Sequence, residues 1–105
     1  MVSGSEFEGD LRDWARYFHA LKDVLRLRIL FTLAQRGEVT VTELSRLLRV
    51  SQPLVSFHLR PLRILKLVDV RRSGRAVYYS LNREEIEGRH YEFLALLDHA
   101  MNSDS

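Results

Sequence analysis

The 105-residue chain contains no cysteine, only two prolines and no long apolar run. Without cysteine there is no disulfide, no thiolate metal site and no thiol redox chemistry. No stretch approaches the roughly 18 apolar residues that cross a bilayer, and no signal-peptide pattern opens the chain. We therefore expect a cytoplasmic protein with no membrane partner.

Catalytic patterns are also missing from the sequence. We find no Ser/His/Asp ordering, no phosphate-binding glycine loop and no pair of carboxylates in an apolar setting. The chain is therefore predicted not to be an enzyme. A domain of this size buries only about 60 to 65% of the surface that its unfolded chain exposes, so a second copy would add stability.

Basic residues are concentrated in the middle of the chain. Residues 44–83 contain nine Lys or Arg and one acidic residue, Asp69, which gives this segment a net charge of +8. Residues 1–43 contain six basic and seven acidic residues, and residues 84–105 contain one and six. The net charge of +2 hides this asymmetry. A basic segment of this kind predicts a polyanionic partner, although a solvated basic face is the alternative.

Apolar periodicity predicts five helices, and turn residues separate two strands. Asp10 is placed to cap the first helix and Thr42 the third. We predict one domain, residues 10–102, between disordered tails at residues 1–9 and 103–105. The predicted elements are helices from Asp10, from about Asp23 to Gln35, from Thr42 to Leu48, from Ser51 through Leu65 and from Arg83 or Glu84 to about Asn102, with strands at Val68 to Arg72 and Ala76 to Leu81.

This order predicts a mainly α fold with a small β-hairpin: a winged helix-turn-helix of order α-α-α-α-β-β-α. Short motifs then point to a family. They are Leu27-Arg28-Ile29-Leu30, Val41-Thr42-Glu43-Leu44, Ser51-Gln52-Pro53-Leu54-Val55-Ser56-Phe57-His58-Leu59 and Arg71-Arg72-Ser73-Gly74-Arg75-Ala76-Val77-Tyr78-Tyr79-Ser80-Leu81.

Together these motifs resemble the ArsR/SmtB family of winged-helix repressors from Asp10 to Met101. The resemblance implies a bacterial transcription regulator that binds double-stranded operator DNA as a homodimer and is released by an effector, commonly a metal ion. It also implies that the fourth helix is the recognition helix, that the hairpin is the wing, and that the first and last helices form the dimer interface. Lys66 stands where the family usually has Gly.

Polar residues near the start of the recognition helix are candidates for base contacts. Gln52 can form two hydrogen bonds with one adenine, and the Ser56 hydroxyl can form a hydrogen bond with different bases. Ser51 caps the helix and can also face a phosphate. Phe57 either points outward to thymine methyl groups or folds back onto the third helix, and His58 is expected to be partly buried.

Basic residues farther along are candidates for phosphate contacts. Arg60 and Arg63 share the outward side of the recognition helix, and the wing arginines flank a tight turn. The alternative for the wing is a charged, protected hairpin edge. The predicted DNA-binding set is Thr42, Ser45, Arg46, Ser51, Gln52, Ser56, Phe57, Arg60, Arg63, Arg71, Arg72 and Arg75.

Apolar stripes on the first and last helices are larger than a lone surface helix needs, so they predict the homodimer interface. Some of these side chains are also expected to belong to the core of one chain. The predicted interface residues are Leu11, Trp14, Tyr17, Phe18, Leu21, Ile86, His90, Phe93, Leu94, Leu97 and Met101.

No metal cofactor is predicted, because the family's metal motifs are absent or broken. Val39-Thr40-Val41-Thr42 stands where arsenic and antimony sensors of the family carry Cys-x-Cys. On the last helix, Glu87 and His90 lie three residues apart and could chelate zinc or nickel together, but Asn102 follows His99 where a ligand is needed. The sequence leaves the effector unknown. A winged helix used only for protein assembly is the alternative function.

Overall fold

The computed structural model describes residues 4–103, with side chains from Phe7 onward. Five helices and one antiparallel hairpin follow one another in the predicted order. No helix in this part of the chain is long and apolar enough to cross a membrane. The elements are α1 (Gly4–Leu21), α2 (Val24–Arg36), α3 (Val41–Leu48), α4 (Gln52–Ile64), β1 (Val68–Ser73), β2 (Ala76–Leu81) and α5 (Arg83–Asn102).

Helices α2, α3 and α4 enclose the core because each presents an apolar stripe to the others. On α4 the stripe is Val55, Leu59 and Leu62, which recur at helical spacing and are at most 2% exposed. Helical spacing predicts Leu54 on the same inward side, but Leu54 is 40% exposed because it lies in the first turn, beyond the edge of this stripe. The buried cluster comprises Tyr17, Ile29, Leu30, Leu33, Val39, Leu44, Leu48, Val55, Leu59, Leu62, Leu67 and Val68.

Helix α1 starts earlier than predicted. Residues 4–9, assigned to a disordered tail, are helical, while residues 1–3 lie outside the described residues. Asp10 is therefore inside the helix and does not cap it. Phe7 carried the missed signal, because it extends the apolar spacing by one turn before Leu11 and Trp14. At the other end Ser103 is the C-cap of α5, and residues 104–105 are not described.

The cap of α3 is Thr40, two residues before the predicted Thr42. The Thr40 hydroxyl accepts a hydrogen bond from the Glu43 backbone N–H at 3.2 Å, and the Glu43 carboxylate accepts one from the Thr40 N–H at 3.2 Å. This reciprocal pair is a capping box. The spacing of Thr40 and Glu43 was visible in the sequence but was overlooked.

The wing is attached to the body of the protein by a short bridge. Val39 exchanges two backbone hydrogen bonds with Tyr79 of β2, at 3.0 and 2.8 Å. Strands β1 and β2 pair from Val68 with Leu81 to Ser73 with Ala76. The turn is therefore Gly74-Arg75, one residue later than Ser73-Gly74, which turn chemistry predicts from the sequence. Gly74 has a φ of +60°, which glycine adopts without the steric cost that a Cβ would add.

Helix α5 leaves the body with little of its surface covered. None of its 20 residues is buried, although it carries the predicted apolar stripe. The radius of gyration is 16.6 Å, whereas a compact domain of about 100 residues has one of about 13 Å. The elongated shape, 55 Å in its longest dimension, thus leaves α5 open to a partner.

Candidate nucleic-acid interface

Helix α4 exposes the side predicted to read DNA. Its N-cap is Ser51, whose hydroxyl accepts a hydrogen bond from the Leu54 N–H at 3.3 Å, as the capping alternative required. Because the apolar stripe of α4 is fixed in the core, the opposite side of the helix faces solvent. The exposed side chains there are Gln52, Ser56, Arg60 and Arg63.

The turn between α3 and α4 occupies one predicted contact. The Ser45 hydroxyl donates to the Val50 carbonyl at 2.6 Å, so it stabilises the turn instead of projecting toward DNA. Arg49 ends α3 with a φ of +58°, a left-handed conformation. Thr42 and Arg46, the other predicted contacts on α3, are exposed.

His58 has a structural role on the inner side of α4. Its side chain is only 12% exposed, and its Nδ1 accepts a hydrogen bond from the Nε of Arg26 on α2 at 3.1 Å. Asp23 Oδ1 lies 3.7 Å from the same nitrogen. The pKa of Asp23 is lowered, chiefly because its carboxylate accepts the backbone N–H of Arg26 at the start of α2. This group of side chains fixes α4 against α2.

Phe57 takes the outward alternative of the two predicted for it. It is 65% exposed and does not fold back onto α3. Its ring lines a groove between α4 and α1, together with Arg60 of α4 and with Arg16 and His19 of α1. Nothing in the sequence pattern indicates these two α1 side chains, because they lie more than 30 residues before α4 in a segment with no net positive charge.

The three wing arginines are not equivalent. Arg71 is bound to Glu38 by two hydrogen bonds of 2.7 and 3.3 Å, and its guanidinium lies 4.7 Å from the ring centre of Tyr78. Its pKa is raised because Glu38 accepts these bonds. Arg72 and Arg75 are exposed and line a depression of about 400 Å³ with Thr42 at the start of α3. Arg71 therefore anchors the wing, while Arg72 and Arg75 remain available.

Arg89 is an important residue that sequence reasoning did not single out. From α5 it donates to the Leu65 carbonyl, at the C-terminal end of α4, at 2.8 Å. It also forms an ion pair with Glu85 at 3.2 Å and lies over the Tyr17 ring at 5.3 Å. Lys66 follows directly, with a φ of +64° where a glycine would be unstrained. Arg89 thereby joins α1 and α5 to the end of the recognition helix.

The predicted dimer residues divide into exposed and covered groups. Trp14 and Phe93 contact each other edge to face, with ring centres 5.5 Å apart, and hold α1 against α5. Tyr17 is fully buried within one chain and His90 packs on its ring, so Tyr17 belongs to the core rather than to an interface. Leu21 and Ile86 also pack against the core. The exposed members are Leu11, Phe18, Leu94, Leu97 and Met101.

The metal-ligand candidates have other partners. Glu87 forms an ion pair with Arg83 at 2.8 Å, while His90 lies against Tyr17 and Phe18. His99 is exposed in the last turn of α5. Over residues 4–103 no group of three or more His, Cys, Asp or Glu side chains could hold a metal ion.

Comparison with known proteins connects this geometry to a family. Residues 23–70, which span α2 through the first half of β1, match the family model described as bacterial regulatory protein, arsR family. The arsenical resistance operon repressor of Bacillus subtilis is 38% identical over 78 residues, 74% of each chain. The chain belongs to the ArsR family.

Two further similarities support this assignment. A transcriptional repressor SmtB homolog from Synechocystis is 42% identical over 90 residues, which cover 86% of this chain and 65% of the relative. A homodimeric winged helix-turn-helix DNA-binding domain from Mycobacterium bovis superimposes with a TM-score of 0.70 at 28% identity, covering 100% of this chain and 97% of that one.

The predicted fold, family and role as a DNA-binding transcriptional regulator are thus confirmed, and the homodimeric neighbour agrees with the predicted homodimer. ArsR-family proteins are non-enzymatic regulators, which agrees with the prediction that the chain is not an enzyme. Some relatives carry a metal or metalloid in their names, such as the arsenical resistance operon repressor and a cadmium resistance transcriptional regulatory protein of Staphylococcus aureus. No cofactor is established for this ArsR-family chain.

Proposed function

We propose that this ArsR-family protein represses transcription by placing one α4 from each protomer in successive major grooves of a two-fold symmetric operator. The supporting observation is that α4 keeps Gln52, Ser56, Arg60 and Arg63 exposed while its apolar stripe is fixed in the core. A homodimer presents two such helices, and a symmetric site matches them one helical turn apart. The bacterial chromosome is cytoplasmic, so the protein works there.

Gln52 and Ser56 are assigned to base edges and the arginines to phosphates. Gln carries a planar amide that can bond adenine bidentately, whereas Arg60 and Arg63 lie farther from the helix start and reach the backbone. On the wing, Arg72 and Arg75 contact the DNA phosphates or a narrow minor groove, while Arg71 remains hydrogen-bonded to Glu38. Thr42 at the start of α3, Arg46 in the last turn of α3 and Ser51 at the start of α4 add contacts to the DNA backbone.

The experiment begins by selecting bound duplexes from a random-sequence DNA library, since no operator is assumed. Binding of the selected duplex is then measured by fluorescence anisotropy across salt concentrations. Arg63→Ala is expected to weaken binding to all sequences and to reduce the salt slope by about one. Gln52→Ala is expected to weaken the free energy of DNA binding by about 1–3 kcal/mol and to reduce the preference for one base at one position in each half-site.

Arg83→Ala is the matched control, because Arg83 is an exposed arginine on α5 that is bound to Glu87 and lies outside the proposed contacts. It should leave the affinity and the salt slope unchanged. Selection of no preferred sequence, or an equal loss from Arg83→Ala and Arg63→Ala, would contradict the proposal. An asymmetric selected site would contradict the two-fold arrangement specifically.

A further inference from the structure

A groove between α1 and α4 carries features of a ligand site. We call it the α1–α4 groove; its apolar wall includes Phe57, Pro61 and Ile64 of α4, and its volume is about 660 Å³. Pockets for small organic molecules typically have about 300 to 1,000 Å³. Phe57 and Ile64 are 65% and 69% exposed, so two large apolar side chains remain uncovered beside this concave surface.

The charge around the groove has one sign. Its ionisable lining residues are Arg16, His19, Arg26 and Arg60, and no acidic side chain lines it. Arg16 is held by Asp13 at 3.0 Å on the outer side of α1, and Arg26 donates to His58. Within the described part of the chain, Arg60 and His19 have no hydrogen bond or ion pair. The groove thus offers cationic groups beside an apolar wall.

We propose that the α1–α4 groove binds a small organic anion with an apolar body, an aromatic or medium-chain carboxylate. Its carboxylate would bond the guanidinium of Arg60, whose fork-shaped donors match two oxygens, with His19 alongside. Its body would cover Phe57 and Ile64. An uncharged molecule of the same shape would leave the cations unpaired and bind more weakly.

The groove is separate from the exposed apolar surface that serves dimerisation. Phe18 of α1, an exposed member of the predicted dimer interface, packs on Phe93 of α5 with ring centres 5.0 Å apart. Ala15 and His19 of the same helix line the groove. Because these sets lie on different sides of α1, occupancy of the groove by a small anion does not require the dimer to open.

Ligand binding would oppose DNA binding, and this step rests on the proposed function. Arg60 is one of the residues assigned to phosphate, and Phe57 lies beside it on the recognition helix. A bound carboxylate would neutralise Arg60 and exclude it from the DNA backbone. The ligand would thereby act as an effector that releases the operator.

The site is tested first without DNA, by titrating the anionic fluorophore 8-anilinonaphthalene-1-sulfonate into the full chain. Saturable fluorescence enhancement is expected, with displacement by decanoate and little displacement by decanol. Ile64→Glu places a like charge on the apolar wall and should weaken binding of the fluorophore by about tenfold or more. Phe31→Glu is the matched control, because Phe31 is 67% exposed on α2 and does not line the groove.

Equal binding by the wild type and Ile64→Glu would overturn the proposal, since the fluorophore would then occupy another apolar surface. Equal displacement by decanol and decanoate would also overturn it. Dissociation of the dimer by Ile64→Glu, seen by sedimentation, would assign the groove to a second copy instead.

The effector role is tested separately with the selected duplex. Decanoate should release DNA from the wild type, while Ile64→Glu should keep its DNA at the same concentration. Retention of DNA by decanoate-saturated wild-type protein would overturn the effector role. Because the binding titration contains no DNA, failure of the ligand site is distinguishable from failure of the proposed DNA contacts.

Discussion

Arg89→Met should destabilise the protein far more than a matched substitution elsewhere on the same helix. Arg89–Glu85 and Arg83–Glu87 are both ion pairs four residues apart on α5. They differ in setting, because the Arg89 side chain is 22% exposed and the Arg83 side chain 81%. Only Arg89 also donates to a backbone carbonyl, that of Leu65.

The expected size follows from these contacts. A hydrogen bond from a charged donor contributes about 1.5–3 kcal/mol, and the contact with the Tyr17 ring adds about 0.5–1 kcal/mol. The Arg89 Nε is buried with no partner among residues 4–103, which offsets about 1 kcal/mol of this gain. Arg89→Met should therefore lower the free energy of unfolding by about 1–3 kcal/mol. An exposed ion pair such as Arg83–Glu87 contributes only about 0.3–0.5 kcal/mol to it.

The measurement is urea unfolding at one fixed protein concentration, because the stability of a dimer depends on concentration. The midpoint of Arg89→Met should fall clearly below those of the wild type and Arg83→Met. Arg89→Lys should lie between, since it keeps the charge beside Glu85 but lacks the forked donors. Equal midpoints for the two methionine variants would refute the argument that the bond to Leu65 stabilises the fold.

Three further outcomes are expected. Thr40→Val should lower the free energy of unfolding in urea by about 1 kcal/mol, because it removes the capping box of α3, whereas Thr42→Val should lower it little. A larger loss from Thr42→Val than from Thr40→Val would show that Thr42 is the cap. Because the pKa of Asp23 in the folded protein lies below the ordinary value of about 3.8, the contribution of Asp23 to stability is present above about pH 4 and is lost as the pH falls through the folded pKa. Asp23→Asn should reduce the decrease in stability that urea unfolding shows between neutral and acidic pH. An equal decrease in the wild type and Asp23→Asn would contradict this expectation. Leu94 is 58% exposed on α5, and Leu94→Glu should give monomers in sedimentation. Val24 is 72% exposed on α2, and the control variant Val24→Glu should remain dimeric. A dimeric Leu94→Glu would show that Leu94 of α5 does not lie in the dimer interface.

Much of the fold could be predicted because its signals are local. Helical spacing in α2 and α4, the capping serine Ser51 and the turn glycine Gly74 each act within a few residues of their own position. The two wrong helix starts also had local signals. Phe7 lies three residues before the predicted start of α1 at Asp10, and Thr40 lies two residues before Thr42, the predicted cap of α3. The basic middle of the chain similarly followed from the distribution of charged residues along the sequence.

The sequence by itself therefore determined the order of elements, the family and the surface that we propose faces DNA. Only the tertiary structure decided which side chains are free to act. Glu38 holds Arg71 across 33 positions, Arg26 holds His58 across 32, and Arg89 reaches Leu65 across 24. Such pairings depend on how distant segments pack, and no periodicity or local spacing encodes them.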